Sequence, residues 1–149
     1  MLEALAGHVL PAGIGGVELA AMEEGWAGLL SEGPPDGESL AAYAVARGGA
    51  MFRHSARLLG LPGHPVEAAG RRWALIDLAR RSADRAEARA ALEAARRIAV
   101  TDSWPAKLRP LGMLSVLTRR DIARSAGTWE RQGSPARMLI MLRHRLTGR

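Results

Sequence analysis

Apolar residues recur every three or four positions along most of this chain, between short breaks rich in Gly and Pro. From Val17 to Ser31 and from Glu38 to Gly60, the spacing is that of amphipathic helices. Nowhere do apolar and polar residues alternate as they do in a half-buried strand. With 149 residues, the chain is long enough to bury a core of its own. We therefore expect one all-α domain over residues 1–149, built as a helical bundle.

The basic residues are numerous but scattered. The formal net charge is +6 and the pI is near 11.3, with Lys107 the one basic residue that is not Arg. These residues are spread over every predicted helix, among ten Glu and five Asp. Nucleic-acid-binding proteins concentrate basic residues in a patch or interleave them with aromatic rings. The pattern therefore argues against nucleic acid as a partner.

The lack of Cys and the lack of a membrane-spanning or secretory segment bear on the cellular compartment of the protein. The chain contains no Cys, which fits a reducing environment. No apolar run approaches the roughly 20 residues that span a bilayer, and residues 1–20 have no basic segment ahead of their apolar part, as a secretory signal would. We therefore expect a soluble, cytoplasmic protein.

The last predicted helix, capped by Ser134 and Pro135, is amphipathic and basic. We expect its apolar residues to face inwards; these are Met138, Leu139, Leu142 and Leu146. Its basic residues are Arg137, Arg143, Arg145 and Arg149. They either extend into water from a packed helix or place the helix on an anionic membrane surface, which would make the protein peripheral to the inner membrane.

The stretch from Gly70 to Arg85, GRRWALIDLARRSADR, is the segment around which we expect the other helices to pack. As one helix it places Asp77, Arg81 and Asp84 on a common stripe. One interpretation is a solvated face with two ion pairs, Asp77–Arg81 and Arg81–Asp84, each worth a few tenths of a kcal/mol. The other is a functional site. The residues that follow either continue this helix or begin a new one near Asp84.

The helix before it offers a second group of polar residues. Tyr43, Arg47 and His54 fall on one stripe beside a seam of mostly small residues that would let another helix approach closely; the seam is Leu40, Ala44, Gly48, Met51, Ser55 and Leu58. A Tyr and an Arg one turn apart can bind a diphosphate, because guanidinium offers a planar fork of donors. Alternatively, Tyr43 is half-buried in the core while Arg47 and His54 reach water.

The order of these segments resembles that of the squalene/phytoene synthase family. Tyr43, Gly49 and the run Ala56-Arg57-Leu58-Leu59-Gly60 match family positions, as do Gly70, Leu75 and Arg80 in the central stretch. The tail, with Trp104-Pro105 and Leu108-Arg109-Pro110-Leu111, is similar to the end of bacterial members. The chain thus resembles the C-terminal half of a family domain.

This resemblance implies the isoprenoid synthase fold and a prenyl transferase-like function in isoprenoid biosynthesis. It also implies that the chain binds a prenyl diphosphate. The substrate-binding residues would be Tyr43, Arg47, Asp77, Arg80, Arg81 and Asp84.

The acidic motifs of the family are not preserved. In the family, acids of the central helix bind Mg²⁺, a hard cation that requires oxygen ligands. Here Arg81 stands where the first Asp should be and Arg85 where the last should be, while Asp84 stands at the Glu and Asp77 at an Asn. On one helix, Asp77 and Asp84 would lie about 10.5 Å apart along the axis, too far to chelate one ion. We therefore expect no catalytic residues and no metal site, although Mg²⁺ is the family's cofactor.

Three functions remain open at this point. The chain is a partial family member that is inactive alone, or a non-catalytic interaction or assembly-factor module on the same scaffold. The third possibility is a fragment that needs a separate N-terminal half, with Arg47, Arg80 and Arg81 contacting the diphosphate. Half a domain would expose apolar seams, which would favour a protein partner or a homo-oligomer.

Overall fold

The computed structural model describes residues 13–27, 36–100, 103–123 and 134–148. All regular structure in these ranges is helical, which confirms the predicted all-α class. The helices are α1 (Gly16–Ala27), α2 (Gly37–Tyr43), a π-helical segment (Ala44–Gly49), α3 (Ala50–Leu58), α4 (Glu67–Arg81), α5 (Arg85–Arg96), a 3-10 turn (Ala106–Leu108), α6 (Arg109–Ile122) and α7 (Pro135–Thr147). The helix predicted from Leu2 to Val9 and the linker from Gly127 to Gly133 lie outside the described residues.

Helix α4 is the centre of the bundle, as its sequence predicts. It packs against the π-helical segment, α3, α5 and α6. One apolar cluster joins Leu75 and Ile76 of α4 to the Ala-rich face of α5. A second joins Ala69 of α4 to Phe52 of α3 and to Leu108 and Leu111. Because α4 contributes to both clusters, its position determines where the other helices lie.

Two helical segments approach each other closely at Gly48 and Gly70. A Cβ atom added at Gly48 would overlap the carbonyl of Gly70, and one added at Gly70 would overlap the carbonyl of Gly48. The backbones therefore touch directly, which only glycine permits. This contact confirms the predicted close approach along the small-residue seam.

Beyond Gly48, the predicted seam does not coincide with the residues that are buried in the structure. Phe52 is 0% exposed and Ala56 is also buried, whereas Met51 and Ser55 are only partly buried and Leu58 is 48% exposed. The cause is the π-helical segment, whose wider turns insert an extra residue and so rotate every later side chain about the helix axis. Phe52, and not Met51, therefore follows Gly48 on the buried face of the helix.

His54 of α3 is also buried, although one interpretation of the sequence had it reach water. Its ring is 6% exposed, and neither ring nitrogen has a hydrogen-bond partner among the described residues. Burial lowers the pKa of His54 from 6.5; Arg53 and Arg57 act in the same direction, while Glu18 and Glu67 oppose them. Burial therefore favours the neutral form of the imidazole in the folded protein.

This burial predicts a loss of stability in mild acid. Below pH 6.5 the unfolded chain protonates His54 before the folded chain does, so stability falls as the pH drops from 6.5 through the folded pKa. In urea titrations at pH 7.5 and pH 5.5, the unfolding midpoint of the wild type should drop by more than that of His54→Gln. Equal drops in the two proteins would show that His54 is not the group responsible.

Helix α4 ends at Arg81, so the prediction of one helix to Arg85 is wrong. Ser82 is extended, and its hydroxyl donates to the carbonyl of Asp84 at 3.0 Å. Asp84 then caps α5, its carboxylate accepting from the N–H of Ala86 at 2.6 Å. These local side-chain bonds compete with the helical backbone. The alternative of a new helix beginning near Asp84 is thereby confirmed, and the expected Arg81–Asp84 pair does not form.

Helices α6 and α7 begin where the sequence indicates. Pro110 lies in the first turn of α6, where its missing N–H costs no helical hydrogen bond. Ser134 caps α7, its hydroxyl accepting from the N–H of Arg137 at 3.4 Å. Helix α7 packs mainly on α6.

The inward face of α7 was predicted wrongly. Its four large apolar side chains are 54–69% exposed; these are Met138, Leu139, Leu142 and Leu146. Arg137 and His144 are buried instead. Arg137 bonds to the buried carboxylate of Asp121, and His144 packs edge-on against Trp104 where Gly112 leaves room. These two polar contacts fix the rotation of the helix.

Helix α1 shows a smaller correction. Leu19, one of the apolar residues of the amphipathic spacing between Val17 and Ser31, is 50% exposed. Helix α1 instead packs against the π-helical segment through Gly25, whose Cα lies against Ala46 so closely that an added Cβ would overlap it. The glycine directs the contact to its own side of α1, away from Leu19.

Candidate functional site

A cavity of about 350 Å³ lies between α4, α6 and α7. One part of its lining is apolar: Trp73, Ile76, Leu114, Leu117 and Met141. The other part is polar: Asp77, Arg80, Thr118, Asp121 and Arg137. A concave apolar surface with a few convergent polar groups is the usual form of a small-molecule site. Two of the residues singled out in the sequence, Asp77 and Arg80, line it.

The polar wall is built around Asp121. One oxygen of this carboxylate, Oδ1, accepts from Arg80 at 3.2 Å and from Arg137 at 2.6 Å. All three side chains are largely buried, that of Asp121 being 3% exposed. Two guanidinium groups thus share one carboxylate, so these three side chains together carry a net charge of +1, while Asp77, the other acid of the lining, is paired with Arg81 outside it. The excess charge of this cluster of three favours an anion.

A third guanidinium group, that of Arg72, is hydrogen-bonded to Thr118 of the polar wall. Nε of Arg72 donates to the hydroxyl of Thr118 at 3.1 Å, and that hydroxyl donates to the carbonyl of Ser115 at 2.6 Å. Arg72 is itself buried. The hydroxyl of Thr118 is therefore held in one orientation, and the positive charge near the wall is larger than its lining residues alone supply.

Tyr43 and Arg47 form a second group, which does not line this cavity. Tyr43 is 1% exposed and its hydroxyl is hydrogen-bonded to Arg47. Burial raises the pKa of Tyr43, while the charges of Arg81 and Arg47 act in the opposite direction. Tyr43 is thus a core residue, more deeply buried than either interpretation of the sequence predicted. Its phenol is not exposed to a ligand in the way that the diphosphate hypothesis requires.

Asp77 connects the two groups. Its carboxylate forms the predicted i,i+4 ion pair with Arg81 while also lining the cavity. Arg81 in turn acts electrostatically on Tyr43. Five of the six residues therefore lie in one region, from Tyr43 to Arg80. The sixth, Asp84, is used as a helix cap.

Two residues of the polar wall were missed in the sequence. Asp121 received no role, and Arg137 was assigned to the solvent side of α7. A signal for Asp121 exists, because it lies three residues after Thr118 and ten after Leu111, beside an apolar stripe of α6. An acid on an apolar stripe requires a buried partner. The identity of that partner, Arg137, depends on how α7 packs and has no counterpart in the local sequence.

The residues present do not fit the Mg²⁺ site of the family that the chain resembles. Among the described residues there is no group of three or more His, Asp or Glu placed to hold a metal ion. The carboxylate of Asp77 is bonded to Arg81 and that of Asp121 to Arg80 and Arg137, while Asp84 caps α5. Each would have to give up a cationic or backbone partner to ligate Mg²⁺.

Comparison with protein families, curated proteins and solved structures found no match to this chain. The resemblance to squalene/phytoene synthases therefore stays a prediction from the sequence.

Proposed function

We propose that this chain is a squalene/phytoene synthase-like protein that binds a prenyl diphosphate and does not turn it over by itself. The observation that carries the proposal is the cavity between α4, α6 and α7. It combines an apolar lining with Arg80 and Arg137, two guanidinium groups held by a single carboxylate. An amphipathic lipid with a compact anionic head is the ligand class that suits both surfaces.

The apolar lining suits the hydrocarbon chain. Trp73 and Ile76 lie on α4, Leu114 and Leu117 on α6, and Met141 on α7, so the hydrocarbon would be enclosed by three helices. Removing apolar surface from water contributes roughly 25 cal/mol per Å². The prenyl chain would therefore supply a large part of the affinity.

The polar wall suits the diphosphate. Guanidinium binds phosphate oxygens in a planar, bidentate manner, and Nε of Arg137 is buried without a hydrogen-bond partner among the described residues. Asp121 positions both groups but also competes with an anion for them. A ligand bound here would be held by arginines directly, without a bridging cation.

We expect no turnover of the prenyl diphosphate, because the acidic residues are already bonded to other groups of the fold. Asp77, Asp84 and Asp121 are each bonded within the fold, so none is placed to ligate Mg²⁺. Replacing Arg81 with Asp would restore one family acid without supplying the others. The proposal therefore describes a binding protein of isoprenoid metabolism, with the interaction or assembly-factor module as its alternative.

Calorimetry tests this proposal. A non-hydrolysable farnesyl diphosphate analogue should bind the purified chain equally well with and without Mg²⁺. The variant Asp121→Asn, which removes the competing negative charge, should bind the analogue about tenfold more tightly at a temperature where it is folded.

The matched control is Glu93→Gln, which removes a carboxylate from the exposed Glu93–Arg96 pair on α5 and should leave binding unchanged. Absence of binding by the folded wild type would overturn the proposal and favour the interaction module. Binding that depends on Mg²⁺ would contradict the account of the polar wall.

A further inference from the structure

The outer face of α7 is an apolar stripe that no described helix covers. Met138, Leu139, Leu142 and Leu146 follow one another at spacings of one, three and four residues and are all more than half exposed. On a helix these positions lie within one arc of the surface. Single exposed apolar residues are ordinary, but a contiguous stripe marks an interaction surface.

Arginine borders this stripe on both edges. Arg143 follows Leu139 by four positions and Arg145 follows Met138 by seven, so each lies beside one edge of the stripe. Both are exposed. The helix from Pro135 to Thr147 contains no Asp or Glu. Within the described residues of α7, the apolar stripe is therefore flanked by positive charge alone.

We propose that α7 is an interfacial helix that lies on the surface of an anionic lipid bilayer. Such helices bury an apolar face about 5–10 Å into the boundary between headgroups and acyl chains, while flanking cations remain at headgroup level. The long aliphatic part of an arginine lets its charged end reach the headgroups while the neighbouring leucines enter the lipid. The charge pattern of α7 is complementary to anionic lipid.

The same pattern argues against a second copy of this chain as the occupant. Packing two such stripes together would bring the flanking arginines of one helix against those of the other. Like charges at these flanking positions oppose helix pairing. A bilayer of anionic lipid supplies the opposite charge on both flanks.

The fold keeps the stripe directed outwards. Arg137 is tied to Asp121, and Arg109 of α6 donates to the carbonyls of Arg145 and Leu146 at 3.3 and 3.0 Å. His144 packs against Trp104 on the inner side. The helix therefore need not unfold or rotate to present its apolar face to lipid.

Sedimentation with lipid vesicles tests this inference. The protein should bind vesicles of phosphatidylcholine containing about one-third phosphatidylglycerol, and binding should weaken roughly tenfold or more in about 0.5 M salt. The double variant Leu139→Ser/Leu142→Ser should bind roughly ten- to thirtyfold more weakly. Vesicles of phosphatidylcholine alone should bind the wild type weakly.

The matched control is Leu58→Ser/Leu59→Ser, which removes two exposed leucines at the end of α3 and should leave vesicle binding unchanged. Circular dichroism establishes that both double variants keep the wild-type helix content. Equal loss of binding in the two double variants, or no binding of the wild type to anionic vesicles, would overturn the proposal. So would a wild-type dimer in light scattering that the α7 variant converts to a monomer, because the stripe would then be a protein interface.

Discussion

Gly48→Ala is expected to destabilise the fold by about 3 kcal/mol or more, among the largest effects of a single methyl group. In an ordinary helix the same change stabilises by up to about 1 kcal/mol, because Ala has the higher helix propensity. Here the new Cβ would overlap the backbone carbonyl of Gly70 and the side chain of Ala74. Backbone atoms cannot move aside as a flexible side chain can, so α4 would have to shift away from the π-helical segment.

Urea unfolding of Gly48→Ala beside Gly63→Ala measures this effect. Gly63 lies in the loop before α4, where an added Cβ meets nothing within 4 Å. Its replacement should change stability little or raise it by up to about 1 kcal/mol. If the two variants had equal stabilities, the direct contact between Gly48 and Gly70 would be refuted.

Asp121→Asn is expected to destabilise the protein by about 3 kcal/mol, because it removes the buried negative charge that the guanidinium groups of Arg80 and Arg137 share. The side chain keeps its shape and one oxygen acceptor, so the loss reports the charge. Glu93→Gln is the control, since its pair with Arg96 is largely exposed and is worth less than about 1 kcal/mol.

Chemical denaturation of both variants at pH 7 gives the comparison. Replacing all three members together, as Arg80→Met/Asp121→Leu/Arg137→Met, should recover most of the loss, because an apolar set of similar volume leaves no buried charge. Similar small effects for Asp121→Asn and Glu93→Gln would mean that α7 is not held against α6 through Asp121.

The existence of the helices and the central position of α4 were predictable from the sequence. Both depend on local information: apolar spacing, the breaks at Pro and Gly, and caps such as Ser134. The pairing of Asp77 with Arg81 was predictable for the same reason, since residues four apart meet on any helix.

The orientation of helix faces was less predictable. The π-helical segment changes the register of α3, and no residue type specifies such a segment. Helix α7 buries Arg137 because Asp121, sixteen positions earlier, offers a buried carboxylate. Pattern analysis that assumes apolar residues face inwards fails where a buried ion pair sets the rotation.

In the candidate site, too, residues of the central stretch were predictable from the sequence, whereas residues contributed by other helices were not. Asp77 and Arg80 were found because they lie in the central stretch, whereas Asp84 was placed there by a helix that actually ends three residues earlier. Asp121 and Arg137 reach the cavity from α6 and α7. Their convergence is a property of tertiary packing.

Nuclear magnetic resonance with ¹⁵N-labelled side chains tests the central claim most directly. Titrating a farnesyl diphosphate analogue without Mg²⁺ should shift the indole N–H signal of Trp73 and the guanidinium signals of Arg80 and Arg137 together, with one saturation curve. Unchanged Trp73, Arg80 and Arg137 signals, or changes confined to backbone amides of Leu139 and Leu142 on the outer face of α7, would contradict a prenyl diphosphate site in this cavity.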